Sequence, residues 1–406
     1  MARTDITAAF LPLTDSAILV AARECGFAEE EDIALSLLRE TSWANIRDRM
    51  AIGQFEAAHM LAPMPIAFAL GLTPLTLDVV VPLSMGLGGN AVTVSAALFD
   101  RMQQAGPFSP PDPATSGRAL KAVVDRRKAG GEPPLQFGVV HAHSGHNFEL
   151  RYWLAASGIV PDKDVEIVVV PPPFMPDALG SGQIDGFCVG EPWNSVAAST
   201  GAGRIATVKS AIWKSSPEKV LGVRADWARR NENALSRLLR ALYRAAEWCG
   251  NPDNHGALAH ILARPEYIGQ PAALIARGLD GTVIEGMAAK DRARFFEPFA
   301  HAATFPWQSH ALWFYSQMVR WGQVKHTPAH ADAARRCYRP DLYRTALRPL
   351  SAPIPAANAK VEGALTETQP VGATSGALLL GPDGFFDGRT FDPDRLATYL
   401  SDQTET

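Results

Sequence analysis

Along its first half the chain alternates short apolar runs with stretches whose apolar residues recur at helical spacing, the pattern of strands followed by helices. Ile6–Leu13, Ile33–Leu38, Ala57–Leu61 and Leu75–Leu83 read as strands. Thr14-Asp15-Ser16 caps a helix running towards Cys25, and Ser42 is the N-cap of a helix that opens at Trp43. The glycine-rich stretch Gly86–Asn90 is expected to turn into a helix through Leu98 and Met102.

Beyond the proline-, glycine- and serine-rich residues 105–117 come a helix at Arg118–Lys128, a strand at Leu135–Val140 and a helix opening at His146 or Asn147. Asp164–Val170 and Ile184–Val189 are further strands, separated by Pro171-Pro172-Pro173 and a short helix at Met175–Gly180. Arg204–Val208 leaves this second unit, and Val220–Val223 rejoins the first. Trp227–Cys249 is strongly helical, more helices extend to about Arg348, and Ser351–Ser375 is a connection laid over the surface. The alternation predicts parallel α/β lobes rather than a bundle or a sandwich. Residues 1–92 and 206–406 are assigned to lobe 1, with a helical C-terminal part, and residues 93–205 to lobe 2.

In open parallel sheets, ligands sit beyond the carboxyl ends of strands, where loops enter helices. Four such junctions carry polar or glycine residues: Ser42-Trp43, Gly89-Asn90, Gly145-His146 and Gly190-Glu191. The turn HAHSGHNF holds His141, His143 and His146 at a helix start, where free N–H groups and the macrodipole favour an anion. A partly protonated His146 would add to that pocket; the plainer alternative is Ser144 or Asn147 capping a helix beside solvated histidines. Trp43 either packs or presents its indole to a small planar ligand. Asn90 either caps or donates its amide, and Gly190 lets backbone approach a ligand. Lys214 and Lys219 are surface lysines unless the fold turns one inward as a counter-charge.

Composition narrows the classes. The 406 residues, 47% of them hydrophobic, suffice for two lobes. With 38 basic against 42 acidic residues and no basic block, no nucleic-acid surface is expected. Cys25, Cys188, Cys249 and Cys337 form no C-x-x-C pair and read as reduced thiols. The H-x-H-x-x-H spacing lacks accompanying cysteine or carboxylate ligands, so neither a metal nor another cofactor is expected. No phosphate loop and no G-x-S-x-G elbow occurs, which argues against an enzyme. The start MARTDITAAF has no basic region followed by a long apolar core, and no later run spans a membrane; a cytoplasmic protein is expected.

Five stretches then stand in a specific order: TSWANIRDRMAIGQFEAAHMLAPMPIA, HNFELRYWLAASGI, CVGEPWN, IWKSSPEKVLG and FFDGRTFDP. In these the chain resembles the nitrate- and bicarbonate-binding components of bacterial ABC importers over nearly its whole length. The resemblance implies the two-lobed periplasmic-binding-protein fold (type II) with a ligand cleft between lobes. It places the anion contacts on Trp43, Asn90, His146, Gly190 and Lys219, with asparagine at position 90 where importers commonly have glutamine. The lysine of PEK implies nitrate or nitrite rather than bicarbonate, with Lys214 the alternative pocket lysine. The early first strand is similar to that of cytoplasmic NasS-type nitrate/nitrite sensors, which implies an antiterminator-type response regulator as partner. A component of an ABC importer is the first alternative. An enzyme of the same fold is the second, with Cys188 its one candidate nucleophile, although Cys188 lies in an apolar run and reads as core.

Overall fold

The computed structural model describes residues 3–404. Two five-stranded sheets form its frame. The strands in chain order are β1 (Thr4–Phe10), β2 (Ile33–Arg39), β3 (Ala57–Leu61), β4 (Val79–Ser84), β5 (Leu87–Gly88), β6 (Asn90–Ser95), β7 (Leu135–Val139), β8 (Val165–Val169), β9 (Gly186–Gly190), β10 (Gly203–Val208) and β11 (Lys219–Arg224). The first sheet has the order β2-β1-β3-β11-β4 and the second β10-β6-β9-β7-β8. This is the two-lobed α/β architecture expected, with one difference: the sheets are mixed. β11 runs antiparallel to both its neighbours β3 and β4, and β6 antiparallel to both β9 and β10.

The reversal has a simple cause. β6 and β11 each follow a passage of the chain from one sheet to the other, and each enters its new sheet against the prevailing direction. Their first residues therefore lie at the end where the other strands finish. Asn90 faces Gly190, the last residue of β9, and Lys219 faces Leu61, the last of β3. Two side chains are thereby delivered to the carboxyl ends of the sheets by strands that begin there.

Asn90 consequently opens a strand and not a helix. The β-branched residues of Asn-Ala-Val-Thr-Val-Ser carry β6 on to Ser95, whose hydroxyl caps the Ala96–Ala105 helix. The boundaries expected at residues 92/93 and 205/206 fall inside β6 and β10, both of which belong wholly to the second sheet. The helix expected at Arg118 begins at Pro113, because Asp112 caps it and proline suits the first helical position.

The C-terminal half adds helices to the first sheet and reaches across to the second. Glu232–Cys249 packs its apolar face on the Ala17–Glu24 helix. Gln308–Arg320 lies against the Gly145–Ala156 helix, with Phe314 and Phe148 6.4 Å apart and Trp313 and Tyr152 6.1 Å apart between ring centres. Phe385 stacks on Trp213 at 4.6 Å, and Tyr152 donates to the Asp387 carboxylate at 2.9 Å. The 351–375 connection includes Gln369–Val371, which pairs with Leu378–Leu380. No helix among the described residues is long and apolar enough to cross a membrane.

Candidate functional site: an enclosed charge cluster between the lobes

Ser42 accepts a hydrogen bond from Asn45 N at 3.1 Å and so fixes Trp43 as the first residue of the Trp43–Ala51 helix. Its indole is buried 5.5 Å from the His59 ring, with the Lys219 ammonium 5.4 Å from the ring centre. Ser144 likewise caps the Gly145–Ala156 helix, accepting from Asn147 N at 3.0 Å, and sets His146 in its first turn. His146 Nδ1 lies 3.0 Å from Glu218 Oε1. Lys219 Nζ donates to Asp15 at 2.8 Å and to Glu218 at 2.9 Å. A Cβ on Gly190 would stand 3.1 Å from Asn90 Oδ1 and 3.4 Å from Asp15 Oδ2, so this glycine keeps backbone open beside both.

The five residues expected at the site are thus all buried around one charge cluster: Lys219 and His146 against Glu218, Trp43 against Lys219, and Asn90 beside Gly190. Lys214 is exposed on the margin of a separate cavity of about 560 Å³, with Lys290 and Arg294, while Lys219 is wholly enclosed. Cys188 is core within β9. His141 and His143 sit together on the turn, 5.6 Å apart, and among the described residues no group of metal ligands forms.

Several members of the network carry no obvious mark in the sequence. Asp15, expected as a cap, makes no capping bond and instead meets His59 Nε2 at 3.0 Å and Lys219. Lys209 Nζ donates to Pro217 O at 2.8 Å, to the Glu218 carboxylate, and lies 3.1 Å from Glu149 Oε1. The one available signal was adjacency: Glu218 precedes Lys219, and Glu149 stands three residues after His146, on the same helix face.

Charge in the cluster is close to balanced, with Lys209 and Lys219 facing Asp15 and Glu218. Burial opposes ionisation of Asp15, but Lys219 and His59 outweigh it and hold its carboxyl at about 2. Burial is likewise outweighed at Glu218, where His146, Lys209 and Lys219 keep the carboxyl well below its ordinary value. Burial pushes Glu149 up to about 7 against the pull of Lys209. At His146 burial lowers the pKa to about 3, with Lys219 and Lys209 adding to it against Glu218. Of the two states the sequence left open for His146, burial therefore favours the neutral ring near pH 7.

What the enclosure leaves unpaired is informative. Trp43 Nε1, both side-chain polar atoms of Asn90 and both ring nitrogens of His146 are buried without a protein hydrogen-bond partner. Orphaned buried donors are costly, about 1–3 kcal/mol each, and several around one glycine and one lysine suit a small, planar oxyanion. The lobes close over them through Thr14 N to Glu191 O at 2.7 Å, Trp193 Nε1 to Pro12 O at 3.1 Å and Gln323 Nε2 to Ala142 O at 3.3 Å.

Fold and enclosed interlobe cluster together define a periplasmic-binding-protein-like chain. It belongs to the NMT1-like family, whose model matches residues 2–263, and to the nitrate-binding group of such proteins. It is 33% identical to a nitrate/nitrite binding protein of Synechococcus elongatus, over 97% of this chain and 85% of that one. A bicarbonate-binding protein of a Synechococcus species is 28% identical over 96% of this chain and 84% of its own length. The crystal structure of the periplasmic nitrate-binding protein from Synechocystis superposes with a TM-score of 0.84 at 26% identity, covering 98% of both chains.

Proposed function

We propose that the interlobe cluster binds nitrate or nitrite and that the chain serves as the anion-binding component of an ABC-type importer. The observation that carries this reading is the set of unpartnered buried groups, Trp43 Nε1 and Asn90 Nδ2, gathered beside Lys219 and Gly190. Nitrate offers three acceptor oxygens in one plane and one charge, which suits convergent donors in a nearly balanced cluster. The names of the nitrate-binding relatives support the same choice. Calorimetric titration with nitrate, nitrite and bicarbonate tests it. Saturable heats with nitrate or nitrite, and weaker ones with bicarbonate, are expected; binding of bicarbonate alone overturns the reading.

The sensor expected from the sequence, cytoplasmic and controlling an antiterminator, is the weaker reading, because the relatives named above are by name anion-binding proteins, one of them periplasmic, and none is named as a sensor. Its test is separate. Co-elution with a purified antiterminator-type regulator, dissolved by millimolar nitrate, would restore it, and absence of any complex removes it.

A further inference from the structure

The cavity of about 560 Å³ that Lys214 borders is walled by three distant parts of the chain. One wall is the 109–113 turn, held to β10 by Thr207 Oγ1, which donates to Pro111 O at 2.7 Å. The second is Val208, the Lys209–Ile212 helix and Lys214, whose N–H donates to Gly384 O at 3.2 Å. The third is residues 290–294 with Pro382, joined by Arg294, which donates to Pro382 O at 3.0 Å. Each wall has hydrogen bonds of its own, so the space does not depend on a loose loop. The Lys209–Ile212 helix divides it from the anion cluster. Lys209 Nζ turns to Pro217 O and Glu218, whereas Ser210 and Ala211 line the cavity.

The charge on these walls is unbalanced. Lys214, Lys290 and Arg294 face Asp112 and Asp291 across the space. Asp112 is spent as a helix cap, accepting from Thr115 N at 3.0 Å and Ala114 N at 3.4 Å. Among the described residues neither Lys214 nor Lys290 has an ion pair or a side-chain hydrogen bond within the chain. Cations gathered on one space without counter-ions repel, and a bound anion relieves that repulsion. The volume is that of a site for a small organic molecule, and an inorganic anion would leave most of it to water. Pro110, Pro111 and Val208 offer apolar faces, and the Ser210 and Thr366 hydroxyls offer hydrogen bonds. We propose that this cavity is a second binding site, for a phosphorylated organic anion of nucleotide size. Its phosphates lie on Lys214, Lys290 and Arg294, and its apolar body on the prolines. The site is distinct from the interlobe cluster and does not depend on the nitrate reading.

The full chain is titrated calorimetrically with ADP, adenosine and inorganic phosphate, free of divalent metal, with and without saturating nitrate. ADP is expected to give saturable heats that nitrate does not suppress, phosphate weaker ones and adenosine none. Lys214→Ala and Lys290→Ala remove an exposed charge from opposite walls, so both variants should fold as the parent does. Each should weaken ADP by about two- to fivefold, the worth of one exposed charge pair, and leave nitrate affinity unchanged. Absence of saturable heat with ADP overturns the proposal. Adenosine binding as tightly as ADP overturns it too, because charge would not then decide, and so does phosphate binding as tightly, because size would not. Displacement of ADP by nitrate would place the nucleotide in the interlobe cluster, and unchanged ADP affinity in both variants would place it elsewhere on the surface; either result removes the second site.

Discussion

Two buried clusters in this molecule have almost the same composition and opposite uses. At the interlobe site a lysine, Lys219, lies by a tryptophan, a histidine and two carboxylates. In the C-terminal segment Lys360 lies 5.9 Å from the Trp307 ring centre, donates to Asp383 at 2.6 Å and to Glu362, and His310 stands 3.5 Å from Glu362. There the carboxylates are engaged within the chain. Glu362 accepts from Ser309 Oγ at 2.6 Å, Asp383 accepts from Leu365 N at 2.8 Å, and the backbone of Glu362 pairs with Phe391 in both directions. This cluster pins the last strap of chain, whose Phe385 and Asp387 hold Trp213 and Tyr152. Each cluster holds a histidine with neither ring nitrogen hydrogen-bonded, His146 in one and His310 in the other. The interlobe cluster differs in its further orphans, Trp43 Nε1 and the Asn90 amide, and in Gly190 and Gly145, where added side chains would strike Asn90 and Glu218. Neither buried charge nor an unbonded histidine beside it marks the binding site; the added tryptophan and amide orphans and the open glycine backbone do.

The comparison breaks most visibly at the lysines. Lys360→Ala leaves two buried carboxylates without their cation and is expected to cost about 3–5 kcal/mol of stability in denaturant unfolding. Nitrate affinity of the protein that remains folded should be unchanged. A loss of affinity larger than the loss of stability would show that the strap takes part in binding.

Acid separates the clusters next. Asp15 and Glu362 are both held at about 2, burial being outweighed by Lys219 and His59 in one case and by Lys360 and His310 in the other. A depressed carboxyl stabilises fully above its unfolded value, near 4, and loses that contribution as pH falls towards 2. Each should withdraw on the order of 2–3 kcal/mol over that window, read as a falling denaturation midpoint. Glu362→Gln should remove its share of the acid limb and leave nitrate binding near pH 7 intact.

Asn90 sharpens the contrast in the opposite direction. Asn90→Leu replaces two unpartnered buried polar atoms by methyl groups of similar volume, so stability is expected to stay level or rise. Nitrate affinity should fall by about ten- to 100-fold, the worth of one hydrogen bond to a charged group at roughly 1.5–3 kcal/mol. Unchanged affinity would take Asn90 out of the site.

Asn90 also shows what was and was not legible in the sequence. Its place at the site followed from the motifs, but its element did not, because the preceding glycines mask a strand that β-branched residues make plain only from Val92 onward. The capping serines Ser42 and Ser144, and with them the stations of Trp43 and His146, were readable, since a cap is a local device. The charge network was not: Asp15 and Lys219 are 204 positions apart, and nothing local says that they meet. For the same reason the turn alone left the protonation of His146 open. Its neutrality comes from burial between two lobes, which is a property of the closed fold and not of the turn.

Trp43 carries the most discriminating expectation. The sequence left two uses for it, packing or a face and N–H for a ligand, and the structure supports each: the ring is buried against His59 and Lys219, yet Nε1 has no protein partner. Trp43→Phe separates them, since phenylalanine keeps an aromatic face beside the ammonium and loses only the N–H and part of the ring. If Nε1 donates to the anion, nitrate affinity should drop by about ten- to 100-fold as for Asn90, a hydrogen bond to a charged group being worth roughly 1.5–3 kcal/mol. Stability should change little, because removal of an orphaned donor offsets the smaller ring's lost contacts. If affinity holds while stability falls, Trp43 belongs with Trp307 as a wall for a lysine, and the binding donors reduce to Asn90, His146 and Lys219. The two measurements on one variant therefore assign the indole to one cluster's use or the other's.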